Sequence, residues 1–107
     1  MAIGILVRDK IPEIISREGR TPITHIASDD EYWEILKGKL REEIDEYYNS
    51  GEEEDFIDIL DVIDSMTEFK KYNKGELEVL RKKKEEERGS YSKRVILDDF
   101  DKLTKFM

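Results

Sequence analysis

The 107-residue sequence contains no cysteine and only two prolines. The lack of cysteine excludes a disulfide framework, a thiol nucleophile and a zinc–thiolate site. Long apolar runs are missing too, since the longest, residues 2–7, is far shorter than the roughly 20 residues that cross a bilayer. We therefore expect a cytoplasmic protein with no membrane contact.

Positive charge is also scarce. Nineteen Lys and Arg residues stand against 27 Asp and Glu residues, and the formal net charge is −8. Because a nucleic-acid backbone attracts a basic surface, this balance argues against nucleic-acid binding. Charged residues make up 43% of the chain, but the apolar residues recur at helical spacing, which predicts one folded domain over residues 1–107 rather than a disordered chain.

Capping and breaking residues divide the chain into predicted helices. Pro12 favours the first turn of a short helix, and Ser28-x-x-Glu31 is a capping box that opens a long one. Asn49-Ser50-Gly51 and Asn73-Lys74-Gly75 each interrupt the helical pattern. The predicted helices cover residues 10–18, 29–49, 52–73 and 76–88, whereas residues 2–7 and 95–97 could each be a strand or an arm.

Acidic residues on the two long predicted helices best indicate chemistry. Glu43 and Glu46 are three residues apart, as are Asp55 and Asp58, so each pair shares one helix face. In an antiparallel hairpin the four carboxylates could converge. Such a cluster would repel itself unless a hard divalent cation bound it, and Mg²⁺ held this way commonly binds substrate phosphate as well. The four acids are therefore candidate ligands for Mg²⁺, or for Mn²⁺.

Helical geometry strengthens this interpretation. At about 100° per residue, Glu43 falls inside the edge of the apolar stripe of its helix, and Asp55 falls within the apolar sector of the next. A carboxylate that faces a hydrophobic seam costs several kcal/mol unless it is paired or metal-bound. A buried ion-pair network is the alternative, and the cations to consider for it are Lys37 and Arg41.

Three further acids lie close to the proposed ligands in the sequence. Glu42 points farther from the apolar stripe than Glu43 does. Glu54 and Asp61 could each be a further ligand, a hydrogen-bond acceptor behind a ligand, or a solvated surface residue.

The acidic motifs resemble those of the all-α nucleoside triphosphate pyrophosphohydrolases, which include MazG-like proteins, dimeric dUTPases and phosphoribosyl-ATP pyrophosphohydrolases. That family has E-x-x-E on one helix and E-x-x-D on the next, and Leu40–Glu46 and Asp55–Leu60 resemble the two parts. Leu6–Pro12 and Glu87–Leu97 resemble flanking segments of the small phosphoribosyl-ATP pyrophosphohydrolase-like branch. Asp55 stands where the family usually has Glu, and motifs typical of the histidine-pathway enzyme are not evident.

The resemblance implies Mg²⁺-dependent hydrolysis of a nucleotide between its α and β phosphates, which yields a monophosphate and pyrophosphate. Glu43 or Glu46 would activate the attacking water, and the metal would neutralise phosphate charge. The implied metal ligands are Glu43, Glu46, Asp55 and Asp58, and the implied substrate-binding residues are Arg8, Lys10, Arg88 and Arg94.

The predicted fold is all-α and centres on the antiparallel hairpin of the two long helices. Because two helices do not enclose a full core, we expect a homodimer or a dimer of dimers that completes a four-helix bundle. A second hypothesis is a non-catalytic helical dimerisation module in which the acids only make ion pairs.

Overall fold

A computed structural model describes residues 4–98, and within that range the chain forms helices and no strand. The prediction of an all-α fold is therefore confirmed for the described residues. Residues 2–7 and 95–97 were each predicted to be a strand or an arm. Residues 2 and 3 lie outside the described residues, and residues 4–7 and 95–97 are in neither a strand nor a helix. The helices are α1 (Ile11–Arg17), α2 (Asp29–Ser50), α3 (Glu53–Phe69) and α4 (Lys74–Arg88).

The chain divides into two compact units, one up to Tyr72 with α1, α2 and α3, and one from Asn73 onward with α4. A single domain over residues 1–107 stays a prediction. No described helix combines the length and the apolar character needed to cross a membrane.

The ends of α2 follow from the residues that flank it. The Ser28 hydroxyl accepts a hydrogen bond at 3.3 Å from the Glu31 N–H, which satisfies one of the free donors of the first turn. At the other end Gly51 adopts a left-handed conformation with φ of 66°, which glycine permits at little cost. Its N–H donates to the Tyr47 carbonyl at 2.8 Å. The predicted span of 29–49 differs from the observed one by a single residue.

The C-terminal end of α3 differs from the prediction. The helix ends at Phe69, not at residue 73, because Lys71 turns into the left-handed region with φ of 58°. Asn73, which we interpreted as a stop signal, is instead the N-cap of α4 and accepts a hydrogen bond at 2.9 Å from the first turn of that helix. The helix α4 consequently begins at Lys74.

Helices α2 and α3 pack against each other as an antiparallel pair. Near the start of α2, Trp33 stacks on Phe69 from the end of α3, with ring centroids 5.7 Å apart. Near the end of α2, Tyr47 meets Phe56 from the start of α3 at 5.2 Å. Such aromatic pairs stabilise a contact beyond the area they bury. They also fix the register that sets the acidic residues of α2 opposite those of α3.

The hairpin buries few apolar side chains completely. Among the described residues, Leu36 at 1% and Val62 at 8% are the apolar side chains classed as buried. Three apolar residues of α3, Phe56, Leu60 and Ile63, are 45%, 46% and 43% exposed. They recur at positions i, i+4 and i+7, so they form one apolar stripe along the helix.

Candidate metal centre

The hairpin brings the four predicted metal ligands together. Within residues 4–98, two groups of three carboxylates have one oxygen each within 4.8 Å of one another. The first group belongs to α2, and the second joins α2 to α3 through Glu46, which is common to both. The groups are Glu42, Glu43 and Glu46, and Glu46, Asp55 and Asp58.

The acids that flank this cluster differ in their relation to it. Glu42 is exposed, as expected from its position outside the apolar stripe, and one of its oxygens still lies within 4.8 Å of those of Glu43 and Glu46. Among the described residues, neither group includes Glu54 or Asp61. Glu54 is exposed, whereas Asp61 forms an ion pair with Arg8.

Glu43 is the buried member of the cluster. The residue is 5% exposed, which confirms that it lies in the seam between the helices. Its Oε1 lies 3.2 Å from the Lys39 ammonium, whereas its Oε2 is buried without a hydrogen-bond partner among the described residues. Leaving a buried acceptor unpaired costs about 1–3 kcal/mol, and more when the group is charged. This oxygen is therefore a donor atom that a cation can use.

The cation that compensates the α2 acids is Lys39, and our expectation of Lys37 or Arg41 in this role was wrong. The Lys39 ammonium lies 3.2 Å from Glu43 and 3.6 Å from Glu42. Burial alone would lower the pKa of Lys39, but the two glutamates outweigh it, so the pKa lies above its ordinary value. Lys37 pairs with Glu34 instead, at 2.9 Å. The signal missed in the sequence was the i, i+4 spacing from Lys39 to Glu43.

Glu46 occupies the centre of the cluster and faces solvent. The negative charge of Glu43 raises the pKa of Glu46, and burial and the nearby carboxylates of Glu42 and Asp55 act in the same direction. This is the effect expected when acids share a site without a cation, because adding one more negative charge becomes costly.

Asp55 is held in place by the turn between the two helices. The Ser50 hydroxyl donates a hydrogen bond to the Asp55 carboxylate and accepts one at 3.1 Å from the Glu52 N–H. Ser50 therefore links the end of α2 to the first turn of α3. We did not predict a role for Ser50 from the sequence, where it had been only part of a helix-breaking triplet. The hydrogen bond from Ser50 orients the Asp55 side chain. Asp55 is one methylene shorter than the glutamate at the matching position of the pyrophosphohydrolase motif that the sequence resembles.

Asp58 already has a cationic partner. One terminal nitrogen of the Arg8 guanidinium lies 2.6 Å from Asp58 Oδ1 and 2.8 Å from Asp61 Oδ2. The hydrogen bonds to Asp58 and then Asp61 raise the pKa of Arg8, so it remains charged. Arg8, predicted to bind substrate, thus lies directly beside the acidic cluster.

Among the described residues, the other three predicted substrate-binding residues make no ion pair or hydrogen bond with the acidic cluster. Lys10 is the N-cap residue of α1 and is exposed. Arg88 is the last residue of α4, and Arg94 has a φ of 58° in the segment that follows. Both belong to the second unit. Their part in substrate binding stays a prediction.

A groove of about 520 Å³ opens beside the acids. One wall is the N-terminal arm, residues 5–9, and the floor includes Leu36 and Val62. Glu43 and Asp58, one from each carboxylate group, also line it. The groove thus joins an apolar floor to the edge of a cluster of hard oxygen donors, which is the ligand type that Mg²⁺ and Mn²⁺ prefer.

Comparison with known proteins assigns no family. No protein-family model and no solved structure matches the chain. A stretch of 41 residues is 58% identical to an uncharacterized protein of Mycolicibacterium smegmatis. The stretch covers 38% of this chain and 42% of that protein, so the match spans less than half of either.

Proposed function

We propose that the chain is a cytoplasmic, Mg²⁺-dependent pyrophosphohydrolase that cleaves a nucleoside triphosphate or a related nucleotide between its α and β phosphates. The observation that carries this proposal is the buried Glu43 carboxylate, which lies in a cluster with four further acids and whose Oε2 has no partner within residues 4–98. In a purely structural ion-pair network, we would expect both oxygens of a buried carboxylate to have partners.

The donor set fits a hard divalent cation. Glu43, Glu46, Asp55 and Asp58 would hold it, and all four offer carboxylate oxygens of the kind that Mg²⁺ binds. When bound, Mg²⁺, or Mn²⁺ in its place, supplies the positive charge that neutralises the phosphate oxygens.

Glu46 is the side chain best suited to accept a proton from the attacking water. It is exposed at the centre of the cluster and belongs to both carboxylate groups, so its carboxylate lies beside the position of a cation and is open to water. A general base must be within hydrogen-bond reach of the proton that it accepts. Water then attacks phosphorus, the bond to the bridging oxygen breaks, and pyrophosphate leaves. Glu43 is the other candidate for this role.

The remaining parts of the nucleotide would be bound beside the cluster. The groove of about 520 Å³ has the apolar floor that a base or sugar could pack on, directly next to Glu43 and Asp58. Arg8 is already at the edge of the acids, and Arg is suited to bidentate contacts with phosphate. Lys10 would hold an outer phosphate, and substrate binding by Arg88 and Arg94 stays a prediction from the sequence.

We propose further that two copies of the hairpin pair to form a four-helix bundle, as a homodimer or a dimer of dimers. The support is the apolar stripe of Phe56, Leu60 and Ile63, which stays 43–46% exposed in one chain. Light scattering on the purified protein should give a mass of two or four chains. Leu60→Glu should reduce that mass, whereas Asp64→Asn on the same helix should not. A wild-type mass of one chain would contradict this assembly.

The activity is tested by pyrophosphate release from a panel of nucleotides in the presence of Mg²⁺. Glu43→Gln and Asp58→Asn should each lower turnover by about a hundredfold or more, since even the groups that support metal ligands cost 10–100-fold when they are removed. The matched controls are Asp45→Asn on α2 and Asp64→Asn on α3, which neutralise exposed acids outside both carboxylate groups and should retain wild-type rates. Absence of turnover by the wild type on every nucleotide would refute the proposal.

A non-catalytic dimerisation module is the second candidate, and the pair of Lys39 with Glu43 and Glu42 favours it. In that case the acids are a structural network, and the cluster needs no metal. Calorimetric titration with Mg²⁺ or Mn²⁺ separates the two functions. The enzyme should show a saturable site that Asp58→Asn removes, and the module should show none.

A further inference from the structure

We propose that the N-terminal arm, residues 5–9, is a strap that Arg8 ties to α3, and that a divalent cation in the acidic cluster competes with Arg8 for Asp58. This inference rests on the metal site of the proposed function. It adds a device that couples occupation of that site to the shape of the neighbouring groove.

The contacts of the arm show that Arg8 is its main polar anchor. One guanidinium nitrogen bridges Asp58 at 2.6 Å and Asp61 at 2.8 Å, across 50 residues of sequence. The apolar contacts of the arm are weaker, because Ile5 is 76% and Val7 44% exposed. Since little apolar surface holds the arm down, losing an Arg8 contact should loosen it.

Asp58 is the residue that both cations need. It belongs to the group of carboxylates with Glu46 and Asp55, and it is also the closer of the two partners of Arg8. A cation that draws on the charge of Asp58 weakens the hydrogen bond to Arg8, and the two positive charges repel each other. By thermodynamic linkage, Arg8 must weaken cation binding by the same factor.

A looser N-terminal arm changes the shape of the groove, because the arm is one of the groove's walls. Residues 5–9 line it together with Leu36 and Val62 from the helix pair. When the cation takes Asp58, Arg8 retains only Asp61, and the wall beside the apolar floor loosens. The freed guanidinium then lies at the edge of the acids, where it can make a bidentate contact with a phosphate group. Metal binding thus prepares the groove for the substrate.

The first experiment is calorimetry with MgCl₂ alone on the wild type, Arg8→Gln and Arg17→Gln. Arg8→Gln should tighten Mg²⁺ binding by about two- to fivefold, the effect of removing one exposed ion pair. Arg17, an exposed arginine in the last turn of α1, is the matched control for the loss of one positive charge. Arg17→Gln should change the affinity less than Arg8→Gln does.

A second experiment follows the mobility of the N-terminal arm. Because the chain has no cysteine, a single Leu6→Cys substitution places one reporter thiol in the half-buried part of the arm. Mg²⁺ should accelerate its reaction with a disulfide reagent in an otherwise wild-type chain. In the Arg8→Gln background the reaction should already be fast and should respond little to Mg²⁺. Ser16→Cys, exposed on α1, is the control thiol and should react at a rate that Mg²⁺ does not change.

The outcomes separate this inference from the proposed function. If Mg²⁺ binds neither the wild type nor Arg8→Gln, both the metal site and the strap are refuted. If Mg²⁺ binds the wild type and Arg8→Gln equally well, and the Leu6→Cys thiol does not respond, the strap is refuted while the metal site stands. Tighter binding by Arg8→Gln together with a Mg²⁺-dependent thiol supports both.

Discussion

Replacing Glu43 by Gln should stabilise the metal-free protein and remove its stabilisation by Mg²⁺. Glu43 is 5% exposed, and its Oε2 is unpartnered among the described residues. The carboxylates of Glu42 and Glu46 add like charge next to it. Gln has nearly the same volume and no charge, so the substitution changes the electrostatics and leaves the packing almost unaltered.

The magnitude follows from two opposing contributions. Leaving a buried oxygen unsatisfied costs about 1–3 kcal/mol, and more when it carries charge, and Gln removes the charged part of this cost. The ion pair at 3.2 Å to Lys39 offsets this by no more than about 1 kcal/mol, because the Lys39 side chain is 24% exposed and partly screened. We therefore expect metal-free Glu43→Gln to be more stable than the wild type by about 1–2 kcal/mol. In a unit of this size, each kcal/mol raises Tm by about 4–8 °C.

Saturating Mg²⁺ should reverse this order. A ligand present at about 100 times its Kd stabilises the folded state by about 2.7 kcal/mol. If the substitution weakens Mg²⁺ binding about a hundredfold, the same concentration stabilises the variant by only about 0.4 kcal/mol. The wild type should then be the more stable protein in Mg²⁺ and the less stable one in EDTA.

Urea unfolding followed by circular dichroism, in EDTA and in MgCl₂, measures both differences. Asp45→Asn, which neutralises an exposed acid on the same helix, controls for the change in net charge. If Glu43 serves only as the partner of Lys39, its loss should instead destabilise the protein, by up to about 1 kcal/mol for a partly screened ion pair. Destabilisation of that size, equal with and without Mg²⁺, would refute the reasoning.

Three further predictions concern acidity, the core and a helix cap. Because the pKa of Glu46 is raised in the folded protein, its contribution to stability is present at acid pH and lost as pH rises through the folded value. A protonated carboxyl does not bind a cation, so the Mg²⁺ affinity, measured by calorimetry, should fall on acidification. The fall should begin above the pH range in which an ordinary glutamate titrates. Leu36→Ala, at a residue 1% exposed, should cost about 2–5 kcal/mol in urea unfolding. Ser28→Ala should cost about 1 kcal/mol, seen as a lower Tm, because the hydrogen bond to the Glu31 N–H is lost.

The helices were predictable wherever a local signal marks their ends. The capping box at Ser28 and the left-handed Gly51 set the bounds of α2 within one residue of the prediction. The end of α3 carries no such signal, because the residue that takes the left-handed conformation is Lys71 and lysine has no preference for it. Asn73 has two meanings in a sequence, a stop or an N-cap, and only the following turn shows which applies.

The candidate site was predictable in its ligands and not in its counter-charges. Helical spacing was enough to place Glu43 in the seam, because a helix has one period and its apolar stripe is visible in the sequence. The contact of Arg8 with Asp58 joins residues 50 positions apart, and spacing says nothing about such a pair. Lys39 was missed although its i, i+4 spacing to Glu43 was visible in the sequence, because many charged residues share such spacings and the spacing alone does not single out one pair.

The counter-charges also indicate where a cation should bind first. Asp58 is compensated by Arg8, Asp55 accepts a hydrogen bond from Ser50, and one oxygen of Glu43 faces Lys39. Glu46 makes no ion pair within residues 4–98, and its raised pKa reports the uncompensated charge around it. Among the described residues, the acidic groups of the cluster left without an ion pair or hydrogen bond are therefore Glu46 and Oε2 of Glu43, both on α2. A cation should engage this pair before it competes with Arg8 for Asp58, so Glu46→Gln should remove the saturable Mg²⁺ site in calorimetry, as Asp58→Asn does.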